Sequence, residues 1–173
     1  LEKISKIVLS LGSNIGNREQ NLLKATELIK QYICVGEILY SSIWETEPFG
    51  EKNQNYFLNM SISGLTNLNP NSLIFLCKSI EYFIGREFRG KWMEREIDID
   101  ILFFDDLIYN SRLLNIPHPA IRERRFVLVP TEEIAGEFIH PVYKINVKEL
   151  LDKCETQSSI LKYKDLRDIQ FEL

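Results

Sequence analysis

The sequence predicts an α+β fold in which one antiparallel sheet, built in the order β-α-β-β-α-β, carries helices against one face. Three observations lead there. Short apolar, β-branched runs alternate with two long stretches of helical periodicity. The link between the second and third runs, residues 46–55, is too short for a crossover helix, so those strands lie antiparallel. Around residues 95–104 the pattern alternates strictly, Ile97, Ile99 and Ile101 against Asp98 and Asp100, and then becomes wholly apolar, as a strand does on entering an interior.

Taken in order, residues 6–11 (Lys-Ile-Val-Leu-Ser-Leu) read as a first strand and residues 12–17 as a turn. Asn17 can cap a helix whose apolar positions Leu22, Leu23, Ala25, Leu28, Ile29, Tyr32 and Ile33 fall at helical spacing, with Gly36 as its stop. A second strand spans 37–44, a polar loop 46–55 and a third strand 56–65. Asn69-Pro70 opens a second helix, with Leu73, Leu76, Cys77, Ile80, Phe83 and Ile84 on one face and Gly85 at its end. The cationic segment 86–94 leads into the Asp-bearing fourth strand. Asp105-Asp106 is a turn, 107–109 an edge strand, 115–119 a rigid loop and 126–135 a helix-like run. Residues 138–144 and 147–151 complete the fold, and 155–173 are polar and loosely patterned. The split βαβ order is the ferredoxin-like plan, with a C-terminal extension.

A chain of 173 residues suits one domain, 1–173, with a real core. Its formal net charge of −4 argues against a broad, non-specific grip on nucleic acid but not against a local basic pocket. Arg86, Arg89, Lys91 and Arg95 crowd the approach to the aspartates, and Arg122, Arg124 and Arg125 crowd a second site. Cations gathered in an acidic protein suggest a phosphate ligand. Cys34, Cys77 and Cys154 are widely spaced and odd in number, as buried thiols of a reducing compartment are. No apolar run approaches a membrane span and no signal-peptide pattern opens the chain, so a cytoplasmic location is expected. The chain begins at Leu1, as an excised domain or a trimmed chain would.

Two carboxylates on one face of a strand repel, and a cation between them resolves the repulsion; oxygen-only ligands suit magnesium better than zinc. The competing reading is a solvated edge strand, against which stands the poor fit of aspartate to strands. Trp92, in a hydrophilic loop, reads either as part of a lid or as a ring tucked against its loop base. Asn59 in an apolar strand needs partners if buried. Phe57 and Phe126, taken by themselves, read as core aromatics before ligand contacts. His118, held between two prolines, suits an anchoring hydrogen bond better than a base that must move.

Several separated motifs run in order along the chain: Leu11-Gly12-Ser13-Asn14 with Asn17, Thr46-Glu47-Pro48-Phe49-Gly50, Phe57-Leu58-Asn59, Glu81 with Gly85-Arg86, Arg95-x-x-Asp98-x-Asp100-Ile101, Ile116-Pro117-His118-Pro119, and Arg124-x-Phe126-Val127-Leu128. Together they resemble one family, 6-hydroxymethyl-7,8-dihydropterin pyrophosphokinase. The resemblance implies transfer of pyrophosphate from ATP to the pterin hydroxymethyl oxygen, with release of AMP, in folate biosynthesis. It implies that Asp98 and Asp100 bind two magnesium ions bridging the α- and β-phosphates, with Arg86 and Arg95 as further catalytic groups. ATP contacts fall to Glu81, Lys91, Arg95, His118 and Arg124. Pterin contacts fall to Gly12, Thr46, Phe49, Phe57, Asn59, Trp92 and Phe126. Lys91 and Trp92 would form a lid, and the substrates are small molecules, with neither nucleic acid nor membrane. Fusion to, or association with, other folate-pathway enzymes also follows from the family. The chain departs from the usual pattern in having Met93-Glu94 before Arg95, a segment after Arg86 one residue shorter, and Leu113 where an arginine is common. The alternative reading is a non-catalytic ferredoxin-like module binding a nucleotide or RNA.

Overall fold

The structure, a computed structural model, describes residues 3–48, 53–87, 89–90 and 93–166. Its sheet is antiparallel, in the order β5 (Asp98–Phe104), β1 (Ser5–Ser13), β4 (Phe57–Thr66), β3 (Ile43–Thr46), β8 (Ile160–Lys164), with β2 (Val35–Tyr40) also on β4. Apart from β8, this is the expected ferredoxin-like arrangement. β1 lies between two neighbours and is buried along nearly all its length. Alternation then separates two faces. Ile7, Leu9 and Leu11, with Leu58, Met60 and Ile62 of β4 and Ile99 and Ile101 of β5, meet α1 (Arg18–Tyr32) and α2 (Pro70–Ile84) in one apolar cluster.

The opposite face is also covered, so helices do not lie on one face only. Val8, Leu102 and Phe103 pack with Val127 and Leu128 of α3 (Arg125–Ala135) and with Val147 and Leu150 of α4 (Val147–Asp152). The turn to this second layer has a local cause. Between Val8 and Leu9 the pairing with β5 steps from Phe103 to Ile101, leaving Leu102 as the extra residue of a bulge. Its carbonyl accepts the backbone N–H of His118 at 3.1 Å, which moors the Pro-His-Pro loop to the sheet.

Several boundaries differ from the pattern reading. α1 ends at Tyr32 with Ile33 as its C-cap, and Gly36, at φ 76°, lies inside β2 beside a register shift. The expected strand 37–44 is two strands, broken at the buried Ser41 and Ser42. β1 runs on through Gly12 and Ser13 instead of turning there. The expected edge strand at 107–109 is a two-residue pairing of β6 (Tyr109–Asn110) with β7 (Asn115–Ile116), outside the main sheet. Phe83 is 65% exposed, beneath Lys24, rather than on the buried face of α2. The polar C-terminal stretch supplies β8, pinned by Lys164 to Glu19 at 2.6 Å. The caps agree with expectation: Asn17 and Asn69 accept first-turn N–H groups, and Gly85 takes the left-handed conformation that ends α2.

Candidate active site

On the face under α3, the polar positions of three adjacent strands coincide. Asp98 pairs with Gly12 and Asp100 with Ser10 across β5 and β1, while Gly12 pairs with Asn59 across β1 and β4. These residues floor a pocket of about 200 Å³, walled by Thr46, Glu47, Phe57, Arg95, His118 and Arg124 and roofed by Phe126 and Val127.

One end of the pocket is ionic. Asp98 Oδ1 accepts from Arg86 at 2.6 Å and Oδ2 from Arg95 at 2.7 Å. Arg124 lies 3.4 Å and His118 Nε2 3.8 Å from Asp100 Oδ2. Burial works to raise the pKa of Asp98, but Arg86 and Arg95 outweigh it and hold the carboxyl below its ordinary value. Asp100 is raised, first by burial and then by the charge of Asp98. Burial lowers His118, against the pull of Asp100, so its ring is neutral. Its Nδ1 accepts the Ala120 N–H at 3.3 Å, and its Nε2 lies 3.5 Å from Arg124 and 3.8 Å from Asp100 Oδ2.

The other end is flat and neutral. Asn59, buried, donates Nδ2–H to Thr46 Oγ1 at 2.7 Å. A Cβ on Gly12 would stand 2.8 Å from Asn59 Oδ1, so only glycine leaves that amide its place. Phe57 and Phe126 are half-buried and open into the pocket. Each has an arginine at 6.0 Å from its ring centre, Arg95 by Phe57 and Arg124 by Phe126.

The two arginine clusters read from the sequence are therefore one site, because Arg95 and Arg124 face each other across the aspartates. Arg89 is turned away, forked onto Glu96 at 2.6 and 3.0 Å with Glu87 beside it. Arg122 lies over the Tyr143 ring, and Leu113 projects into solvent. Glu81, expected among the ATP contacts, lies behind the pocket wall. Its Oε1 accepts the Ile99 N–H and Lys78 Nζ, both at 2.7 Å, and its other oxygen pairs with Arg86. It thus grips the backbone between the two aspartates. Phe49, Lys91 and Trp92, expected at the pterin, ATP and lid positions, lie outside the described residues.

Other residues of the site had no role assigned from the sequence, although Asn14, Glu47 and Val127 stand in the family motifs. Ser10, Glu47 and Val127 line the pocket; for Ser10 the spacing from Gly12 was a usable signal. Lys78 stands 4.0 Å from Asp98 Oδ1, and its i,i+3 spacing to Glu81 could have flagged it. Asn14 holds Arg95 from behind, accepting its N–H at 2.8 Å and donating its own backbone N–H to the Arg95 carbonyl at 3.1 Å. Asn21 likewise holds the Glu96 carbonyl at 2.9 Å.

Known proteins are similar to this chain in sequence and in fold. A protein of Aquifex aeolicus named 2-amino-4-hydroxy-6-hydroxymethyldihydropteridine pyrophosphokinase is 38% identical over 146 residues, covering 84% of this chain and 90% of that one. The Bacillus subtilis protein of the same name is 43% identical over 129 residues, covering 75% and 77%. A folate synthesis bifunctional protein of Arabidopsis thaliana is 41% identical over 132 residues, 76% of this chain but 27% of its own length. In fold, the chain is similar to the crystal structure of Plasmodium falciparum HPPK-DHPS with pterin and p-hydroxybenzoate, at TM-score 0.68 and 20% identity, covering 88% of this chain and 43% of that one. Residues 8–136 match the model of the family described as 7,8-dihydro-6-hydroxymethylpterin-pyrophosphokinase. That span runs from the first core strand through the whole of α3 and takes in every described residue of the pocket, so the chain belongs to the 7,8-dihydro-6-hydroxymethylpterin-pyrophosphokinase family.

Proposed function

We propose that this protein transfers a pyrophosphoryl group from ATP to the hydroxymethyl group of 6-hydroxymethyl-7,8-dihydropterin, giving AMP and the pterin diphosphate in folate biosynthesis. The observation that carries the reading is one pocket joining a flat, amide-and-aromatic end to an arginine-and-carboxylate end. In bond terms, the hydroxymethyl oxygen bonds to the β-phosphorus of ATP. The bond from that phosphorus to the α–β bridging oxygen breaks, AMP leaves with its electron pair, and the hydroxyl proton passes to solvent.

Asn59 and Thr46 would read the pterin edge, since a fixed amide both donates and accepts. Phe57 and Phe126 would hold the ring by its faces. Arg86, Arg95 and Arg124 already sit in ion pairs with the aspartates, and their forks suit phosphate oxygens equally well. His118, held between two prolines with Nδ1 accepting the Ala120 N–H, would anchor a phosphate oxygen rather than act as a base that must move.

The donor set fits magnesium. Asp98 and Asp100 offer hard oxygens only, and the charge of Asp98 raises Asp100, a strain that an added cation relieves. Among the described residues no group of three or more His, Cys, Asp or Glu gathers as a closed metal site, and magnesium shared with substrate phosphates needs none. Bound there, two such ions would neutralise phosphate charge and favour in-line displacement.

The test is to mix protein, ATP, magnesium and the reduced hydroxymethylpterin and to assay for AMP. Well-folded protein that yields none would refute the proposal, and ADP or pyrophosphate would point to another nucleotide transferase. Against an RNA-binding module stand the acidic pair and aromatics that open under α3 rather than on a free sheet face. We further place residues 1–173, as one pyrophosphokinase domain, in the cytoplasm beside or fused to other folate enzymes. The bifunctional relatives support the link to other folate enzymes and not the location, since one of them is named mitochondrial, and no described helix is long and apolar enough to cross a membrane. Recovery in the membrane fraction, or unfolding in two separate steps, would count against this placement.

A further inference from the structure

Glu133 lies on α3, seven residues after Phe126, and 12% of its side chain is exposed. One carboxylate oxygen accepts the Ser42 backbone N–H at 2.7 Å, and the other accepts the Trp44 indole N–H at 3.0 Å. Ser42 is fully buried at the break between β2 and β3, where the pairing with β4 skips it. A buried N–H without a ladder partner must find another acceptor, and α3 supplies one. Lys162 of β8 stands 3.7 Å from the indole-bonded oxygen and 5.1 Å from the centre of the Trp44 ring. A single carboxylate thus ties α3, β3 and β8 together.

The tie has a direction. Trp44 and Thr46 are two apart in β3 and share a face, and Thr46 accepts the Asn59 amide. On the other side of the pocket, the same helix that bears Glu133 bears Phe126. We infer that Glu133 is a positioning residue for the pterin end of the pocket: by fixing α3 to β3 it sets the width of the slot between Phe126 and the Thr46–Asn59 pair. A carboxylate is required because both partners donate. An amide offers one acceptor oxygen and would turn its own N–H₂ toward a donor.

The inference rests on the proposed pterin reaction, and the experiment separates the two. Steady-state kinetics and equilibrium pterin binding are measured for the wild-type protein, Glu133→Gln and Trp44→Phe. In Glu133→Gln, the loss of one buried hydrogen bond is expected to raise the pterin KM and Kd about tenfold. The ATP KM and kcat should stay within about twofold, since the ionic end keeps its ties. Trp44→Phe, which removes only the indole donor, should give a smaller rise in the same two constants. Wild-type protein that neither binds the pterin nor forms AMP overturns both readings. An active wild type with variants whose pterin constants are unchanged, or whose ATP and pterin constants and kcat all worsen together, overturns the role of Glu133 alone. The same holds if both variants lose pterin binding only by unfolding at the assay temperature.

Discussion

Gly12→Ala adds one methyl group to the floor of the pocket, and its consequence can be worked from three distances. The new Cβ would lie 2.8 Å from Asn59 Oδ1, against 3.4–4 Å for ordinary contact, so some 0.6 Å must be found. The backbone cannot supply it, because Gly12 and Asn59 are direct partners in the central ladder. The amide must therefore swing, and its 2.7 Å bond to Thr46 lengthens or breaks. Losing an aligned buried amide costs about 1–3 kcal/mol, or roughly 5- to 150-fold, in the binding it serves. The loss should fall on the pterin KM and leave the ATP KM near its original value. Stability should fall by about 1–2 kcal/mol, since the displaced buried amide outweighs the about 0.5–1 kcal/mol that alanine recovers over a strand glycine. The assay is steady-state kinetics with each substrate varied, together with thermal melting. Repeating it in an Asn59→Ala background completes a cycle, in which Gly12→Ala should add nothing once Asn59 is gone. A normal pterin KM in the single variant, or an undiminished effect without Asn59, would refute the reasoning.

Glu81→Ala should destabilise the fold by about 1–3 kcal/mol, read from denaturant midpoints, because it orphans the buried Ile99 N–H; a neutral result would mean that another group caps that N–H. Burial pushes the His140 pKa down to about 4 from an ordinary 6.5, while Nδ1 accepts the N–H groups of Val142 and Tyr143. The folded pKa is the lower one, so the neutral ring's stability is whole above pH 6.5 and lost as pH falls to about 4. That loss is at most about 3 kcal/mol. His140→Asn keeps an acceptor but does not titrate, and an unchanged slope of stability over that range would exclude His140 as its cause. Asp98→Asn should abolish AMP formation, yet in the presence of EDTA it should bind ATP roughly tenfold or more tightly, because Arg86 and Arg95 lose a competing charge; weaker metal-free binding, followed by equilibrium dialysis, would contradict that exchange.

How much was legible in advance follows the reach of each signal. Alternation is local, so Asp98 and Asp100 against the isoleucines of β5 needed no partner strand to be read. Asn17, Asn69 and Gly85 act within one helical turn and were placed correctly. The break at Ser41-Ser42 was invisible because the acceptor that satisfies the Ser42 N–H there, the carboxylate of Glu133, lies 91 residues away. β8 was missed for a similar reason. Its residues alternate weakly, and the strand exists because β3 offers an edge and Glu19 a partner for Lys164. The bulge at Leu102 likewise depends on pairing with β1, and without it the second core layer could not be assigned. Within the pocket, composition alone left the arginines as two clusters, and the family resemblance, not residue type, put Arg95 with Arg124 at ATP and Asn59 at the pterin.

The pairing of arginines with aspartates bears on why this site lies at this end of the sheet. Three strands present Ser10, Gly12, Asn59, Ser61, Asp98 and Asp100 on one face, and an apolar helix packed flat over that row would bury carboxylates without partners. The chain meets the difficulty differently at each end of α3. Toward its middle, where the floor residue is a neutral hydroxyl, Thr131 meets Ser61 at 2.9 Å and the layers close. Toward its start, where the floor is acidic, arginines from three separate segments converge on the aspartates instead, and Arg124 stands 6.0 Å from the Phe126 ring centre. The cations that make the carboxylates tolerable thus also line the pocket between them. Since a guanidinium can exchange a carboxylate for a phosphate with little change in geometry, the groups that neutralise the aspartates are already placed for an anionic ligand.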